Sequence, residues 1–599
     1  MSSERKIRPP AYAYRAALSR SRGALAGIAA LCALATSPVA QASGPTLVTA
    51  ADGTFQGAMN STRTMRQFLG IRYADPPVGA LRWRPPQAPQ SPSGTVDATQ
   101  FGGHCAQPLS QFGNGTLNED CLFLNVFAPN DNSRDHAVMF WIHGGALFEG
   151  ESDDYNASQL VQQGVVVVTI NYRLGALGFM AHPAFTAESP DKISGNYGIL
   201  DQQFALQWVK RNIAAFGGDP NRVTIFGESA GGSSSLVNLV SPLASGLFQR
   251  AIVESGGYQM RQPTQADSEK KGTEFAIVEG CADPNQADAQ TAACLRALPV
   301  ANILGPCPSQ NSCQSLTFEG TVASPVIDGK VLPESLVDAI AAGHFARVPI
   351  INGSNHNEFR LFIPLVFGFQ DPVVPDVQAV TNPGTTPYSA ALQILLATIV
   401  SPDRLPGVIT QYPSGNTPLS ANIALAAAAT DALFACNAHT IDKSASQFVP
   451  VFAYEFNDEQ APDNFLPPTT LHDGTNYPYG SDHTSEIQYL FPVSNPSGVG
   501  LDLKQTPLTA NQQQLAHQMV VFWTNFAATG NPNRGEAPVV WPQYVSDLDD
   551  LISFVPPTPT HETASDPTDL ATVHQCAFWD QSLNLSTPSI VNLGVPTLP

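Results

Sequence analysis

The chain runs to 599 residues, 43% hydrophobic and 13% charged, with a formal net charge of −21 at pH 7. So much apolar material can fill a large core. The acidic balance argues against nucleic acid or an anionic membrane surface as a partner.

In chain order, residues 1–42 stand apart. Arg5, Lys6, Arg8, Arg15, Arg20 and Arg22 form a basic leader. Ala24 to Ala35 is a short apolar run, and Ala40-Gln41-Ala42 has the small-x-small form of a cleavage site. This is the pattern of a secretory signal peptide cut after Ala42, so a secreted or periplasmic location is expected, with residues 43–599 as the working domain. No later segment reads as a membrane span, and no stable membrane anchor is expected. Beyond the leader lie Cys105, Cys121, Cys281, Cys294, Cys307, Cys313, Cys436 and Cys576. An even number behind such a leader implies disulfides formed in an oxidising compartment. None has the Cys or Cys/His spacing of a zinc site, so neither a metal nor a cofactor is expected. Oligomeric state is not legible.

Several short β-branched runs read as strands covered on both faces, the mark of a mainly parallel sheet. They are Ala137–Ile142, Val165–Asn171, Val223–Phe226, Val348–Asn352 and Val449–Phe456. Between the second and third, Leu200, Phe204, Leu206, Trp208, Val209 and Ile213 fall mostly on one helical face, and Gly217-Gly218 ends the helix. Strand, helix, strand makes this an α/β chain, with a mostly parallel central sheet flanked by helices. Its reactive groups are expected beyond the carboxyl ends of the strands. Residues 365–445 mix Pro/Gly/Thr stretches with the helix-prone runs Ala390–Val400 and Ala421–Ala435. They read as large insertions that form pocket walls.

The most informative stretch is Val223-Thr-Ile-Phe-Gly-Glu-Ser-Ala-Gly-Gly232. An apolar strand runs into Gly227-Glu228-Ser229-Ala230-Gly231, a G-x-S-x-G turn followed by small residues suited to a helix start. So sharp a turn needs near-bare backbone two residues either side of the serine, and Gly227 and Gly231 supply it. The turn exposes the Ser229 hydroxyl at the positive end of the following helix. A serine nucleophile also needs a base, a carboxylate to orient that base, and donors for an oxyanion. Spacing alone does not pick them.

Glu119-Asp-Cys-Leu-Phe-Leu-Asn125, Trp141-Ile-His-Gly-Gly-Ala146, Asn171-Tyr-Arg-Leu-Gly175, Gly195-Asn-Tyr-Gly-Ile-Leu-Asp-Gln202 and the Gly227–Gly231 turn follow one another in this order. Together they resemble the type-B carboxylesterase/cholinesterase family. The resemblance implies an α/β-hydrolase fold and hydrolysis of small-molecule esters through an acyl-enzyme. It implies Ser229 as nucleophile and Glu358, in Gly353-Ser-Asn-His-Asn-Glu358-Phe359, as orienting acid. The base it implies is His483, in Asp482-His483-Thr484-Ser485-Glu486-Ile487, with His472 as the rival and His356 read as a loop residue. The oxyanion donors it implies are the N–H groups of Gly145, Ala146 and Ala230, where many relatives carry a third glycine at the Ala146 position. It also implies the pairs Cys105–Cys121, Cys281–Cys294 and Cys436–Cys576. Cys307 and Cys313 have no counterpart in the pattern and are paired as the two left over. Within the family, a specialised lipase, a tannin or aryl esterase and a detoxifying de-esterase stay open. A non-catalytic adhesion protein of the same fold is disfavoured, because such relatives typically lack the serine.

Overall fold

The computed structural model describes residues 44–582 except 111, 283–287, 305–323, 370–372, 397–399, 464, 493–505, 536 and 538. The described residues all belong to one compact unit, Ser43–Pro599. In chain order the strands are β1 Leu47–Ala50, β2 Gly53–Gln56, β3 Ala58–Met59, β4 Met65–Arg72, β5 Thr95–Asp97, β6 Phe123–Pro129 and β7 His136–Ile142. They continue with β8 Val166–Ile170, β9 Gly218–Glu228, β10 Arg250–Glu254, β11 Ile350–Asn355, β12 Val451–Phe456, β13 Leu551–Phe554 and β14 Thr560–Glu562. β1, β2 and β5 make a small sheet. The other eleven form one large sheet in the order β14-β13-β12-β11-β10-β9-β7-β8-β6-β4-β3. Its middle, from β8 through β7 and β9 to β13, is parallel throughout. The antiparallel pairs lie towards the two edges.

The apolar runs are explained by two cores, one on each face. Val138, Phe140 and Ile142 of β7 join Val166 and Val168 of β8 and Val223 and Ile225 of β9 in the larger core, under the helices Tyr197–Asn212 and Ala230–Val240. The alternate residues Met139, Trp141, Val167, Phe226, Ile252 and Ile351 face the second core, against the helix Ala510–Thr529. Side chains alternate along a strand, so covering both faces removes any polar alternation from the sequence.

The expected strands are present with shifted ends: β9 starts earlier than Val223, and β11 runs to Asn355. The expected helix is Tyr197–Asn212. A 3₁₀ turn carries it to Gly217, whose φ of 102° only glycine adopts freely. Residues 365–445 contain the helices Tyr388–Leu396 and Pro418–Thr430, a π-turn Asp431–Ala435 and the helix Cys436–Ala445. The run Pro418–Ala445 is long and apolar enough to cross a membrane by length and composition, yet 72% of its apolar window is buried inside the molecule. It is a core helix. Disulfides join Cys105–Cys121, Cys281–Cys294 and Cys436–Cys576, which suits an extracellular or secreted protein. Cys307 and Cys313 lie outside the described residues.

Register gathers the loops that matter at one sheet edge. Ile142 of β7 pairs with Gly227 of β9, and Glu228 with Glu254 of β10. Val253 and Glu254 pair in turn with Asn352 and Gly353 of β11. The segments after β7, β9 and β11 therefore emerge at the same carboxyl end of the parallel strands, and these are the segments that carry His143–Ala146, Ser229 and Glu358.

Candidate active site

Ser229 sits between β9 and the helix Ala230–Val240 with φ 55° and ψ −119°. That conformation is costly for a residue with a Cβ and persists only where the surroundings enforce it. The enforcement is steric. A Cβ on Gly231 would stand 1.8 Å from the Ile142 carbonyl oxygen, and one on Gly227 would stand 2.5 Å from the same atom. The Ser229 N–H donates to the Glu254 carbonyl at 2.9 Å, tying the turn to β10.

The glycine-rich loop after β7 lies directly over the serine. A Cβ on Gly144 would reach within 3.3 Å of the Ser229 Cβ. Gly145 and Ala146 take positive φ, 95° and 50°. The turn is closed by the N–H groups of Phe148 and Glu149 donating to the Gly145 carbonyl, bonds that leave the N–H groups of Gly145 and Ala146 unused. Ala230 opens its helix, so its N–H has no acceptor within that helix. His143 is fully buried and stacked on Tyr172 at 4.5 Å, and its Nδ1 contacts the Gly144 carbonyl at 2.9 Å. Burial pushes it down to about 4, so it is a neutral brace for the loop.

Glu358 opens a short 3₁₀ turn just past β11 and is fully buried. Its Oε1 accepts from the Asn355 N–H at 2.8 Å, and its Oε2 lies 2.5 Å from His483 Nδ1. A second tie runs from the His483 N–H to the Glu358 carbonyl at 3.2 Å. Asn357 exchanges backbone and side-chain hydrogen bonds with Ser481, and the Phe359 N–H donates to Thr430 Oγ1. The acid turn is thus fixed to the histidine loop and to the insertion. His483 Nε2 faces the serine turn, 3.2 Å from Glu228 Oε1. The rings of Phe362 and Phe434 flank the imidazole, each 5.0 Å away. His472 is exposed on a turn, and His356 contacts Glu455.

A second set of residues carries no signal of its own in the sequence. Glu228, Glu254 and Glu486 are buried with Glu358 beneath the site. Burial, reinforced by the neighbouring carboxylates, drives Glu228 and Glu486 well above the usual carboxyl range. Burial alone lifts Glu254 to about 7, although it accepts from Trp523 Nε1 at 2.9 Å. Only the strongly apolar strands around them could have hinted at such a group.

The other motif residues are architecture. Arg173 grips Asp201 through Nε and Nη2, both at 2.7 Å, fully buried. Glu119 pairs with Arg82, and Asp120 with Arg72. Tyr172 donates to the His143 carbonyl, which braces the glycine-rich loop from below.

A mostly parallel sheet with a strained serine turn after β9 and a Glu–His pair delivered at the same edge defines an α/β-hydrolase. The profile described as "Carboxylesterase family" matches residues 44–579. The chain is 33% identical over 551 residues to a fumonisin B1 esterase of Sphingopyxis macrogoltabida, covering 90% of this chain and 92% of that protein. It is 35% identical over 489 residues to a para-nitrobenzyl esterase of Bacillus subtilis, covering 80% and 89%. It is 33% identical over 500 residues to a human cocaine esterase, covering 80% and 82%. The chain belongs to the carboxylesterase family and is a carboxylic ester hydrolase acting on small-molecule esters.

Proposed function

We propose that Ser229 is the nucleophile, His483 the general base and Glu358 the orienting acid of a secreted serine esterase that prefers uncharged esters. The observation that carries this reading is the buried 2.5 Å contact between Glu358 Oε2 and His483 Nδ1. Nε2 is left on the side of the strained Ser229 turn, 3.2 Å from Glu228 Oε1. Ser229 Oγ attacks the ester carbonyl while its proton passes to His483 Nε2, and Glu358 stabilises the resulting imidazolium. The oxyanion is received by the N–H groups of Gly145, Ala146 and Ala230. His483 then returns the proton to the departing alcohol, and a water activated by the same nitrogen releases the acid. A cholinesterase-type cation site would need a free aromatic face on the Cys105–Cys121 loop. That loop offers Phe112, already stacked on Phe465 at 5.8 Å, so neutral esters with bulky or aryl alcohols fit better. The para-nitrobenzyl esterase is named for an ester of an aryl-bearing alcohol. Export, with cleavage after Ala42, is part of the proposal and rests on the leader.

The test is covalent labelling by a fluorophosphonate. Ser229 should be modified in the native enzyme and nothing in Ser229→Ala, whose turnover should fall by several orders of magnitude. His483→Ala should be nearly as damaging, and Glu358→Gln should keep more activity. A label on another serine, or activity retained in Ser229→Ala, would sink the assignment.

A further inference from the structure

Behind the acid turn lies a second polar cluster that the esterase mechanism does not use. His356 Nδ1 is 3.0 Å from Glu455 Oε1, and His574 Nε2 is 2.6 Å from the same oxygen. One ligand atom from each of the three residues lies within 4.8 Å of the others. Glu455 and His574 are buried, and His356 is half-buried. We propose that His356, Glu455 and His574 form a binding site for a divalent transition metal, separate from the esterase centre.

Three observations point to a ligand site here rather than to a simple ion pair. The first is the donor set. Two imidazoles and one carboxylate suit zinc or another first-row divalent ion. Tetrahedral bonds of about 2.1 Å hold ligand atoms roughly 3.4 Å apart, so an ion needs the 2.6 Å contact to open by about 0.8 Å and the 3.0 Å contact by about 0.4 Å. The second is the outer partner. His574 Nδ1 is 2.5 Å from Asp431 Oδ1, and Asp431 Oδ2 accepts from the Tyr412 hydroxyl at 2.5 Å. Tyr412 in turn accepts from Trp579 Nε1 at 2.8 Å. A histidine whose second nitrogen is bound by a fixed carboxylate is the arrangement that orients metal-ligating imidazoles. The third is space. A cavity of about 210 Å³ is lined by His356, Asp431 and His574 together with Arg360 and Thr430, giving room for a water or an exogenous group in the open position.

The scaffold is rigid. Glu455 lies on β12, one residue before Phe456, which pairs with Asn355 of β11, and His356 follows Asn355 directly. Asp431 begins the π-turn Asp431–Ala435, a local widening of the helix that often marks a functional position. The Cys436–Cys576 disulfide clamps the segment that carries His574. A metal bound at His574 Nε2 displaces the proton that this nitrogen shares with Glu455 Oε1, and that proton leaves to bulk solvent.

The experiment uses the full mature protein, stripped with EDTA and dialysed against micromolar zinc. Metal analysis after gel filtration should find one zinc per chain, with a rise in thermal midpoint that EDTA reverses. Ser229→Ala should bind zinc as the native protein does. His356→Gln, at the least buried ligand, and Glu455→Gln should lose the ion. Asp431→Asn should weaken binding by about tenfold or more. For a variant that fails to fold, anomalous scattering at the zinc edge from crystals of the native protein locates the ion directly. No zinc retained by the native protein, undiminished zinc in folded His356→Gln, or an ion located elsewhere would each overturn the proposal.

Discussion

At the scale of single residues, backbone geometry around Ser229 sets the sharpest expectations. A Cβ on Gly145 would lie 2.2 Å from the Glu149 carbonyl oxygen, in a residue already at φ 95°. Gly145→Ala must therefore move the loop that carries two of the three proposed oxyanion donors. Losing one such donor costs about 100-fold or more in kcat, and that fall, with KM little changed, is the expected result. Ala146 is the reverse case. At φ 50° its Cβ costs on the order of 1 kcal/mol, so Ala146→Gly should raise the thermal midpoint and keep activity. A drop in turnover would show that the methyl group usefully stiffens the loop. Glu254 supplies a pH dependence. Its ordinary value is 4.5, and burial lifts it to about 7 in the fold. The folded state holds the proton longer than the unfolded state, so native stability declines as pH rises through that window. Glu254→Gln keeps an acceptor for Trp523 and escapes the decline. Its advantage over the native protein should be absent below pH 4.5 and reach about 3 kcal/mol above pH 7. Thermal midpoints measured across the window would reveal it, and a constant offset would refute it.

At the scale of elements, the disulfides differ by the length of chain they close. Cys436–Cys576 spans a sequence separation of 140, against 13 for Cys281–Cys294. On the chain-entropy view the long bridge contributes about 5 kcal/mol and the short one about 3. Replacing Cys436 and Cys576 by serine should therefore lower the thermal midpoint more than the matching change at Cys281 and Cys294. An inverted order would mean that the local bridge restrains a segment the rest of the fold does not. The elements also differ in how much of each the sequence reveals. β7, β8 and the end of β9 are legible because both faces are buried and their residues are mostly β-branched or large and apolar. β4 and β6 are not legible in the sequence. β4 has partly exposed positions along its length, and neither stands out as a β-branched run. β10 is only Arg250–Glu254, and its terminal acid is buried rather than solvated.

At the scale of the whole molecule, the net charge of −21 can draw cations towards the protein but does not build a face to hold them. Close to the site, the proposed base is framed by Phe362 and Phe434. The acids beneath it are Glu228 and Glu486, both driven by burial towards the neutral form. We therefore expect kcat/KM for p-nitrophenyl butyrate to exceed that for butyrylthiocholine by at least tenfold on one preparation, about 1.4 kcal/mol of discrimination. Equal efficiencies would mean that an aromatic outside the Cys105–Cys121 loop holds the choline group.

What the sequence alone determined is local. The turn around Ser229 is legible because Gly227 and Gly231 must both be bare to admit the backbone of Ile142, a requirement satisfied within five residues. The parallel sheet is legible because coverage of both faces leaves unbroken apolar runs. Tertiary structure alone decided what meets across the sheet edge. Glu358 and His483 lie far apart in the chain, and their contact depends on β11 standing beside β12 and on the path of the loop that returns. Before folding, His472 and His483 were separable only by resemblance. The buried acids have no spacing signal, since Glu228, Glu254 and Glu486 converge only once strand order is set. The same holds for His356, Glu455 and His574, which no short-range ligand pattern joins. A local motif is fixed by sterics between near neighbours. A site assembled from several strand ends is fixed by the order and register of those strands, and that order follows from how the two faces of the sheet are covered.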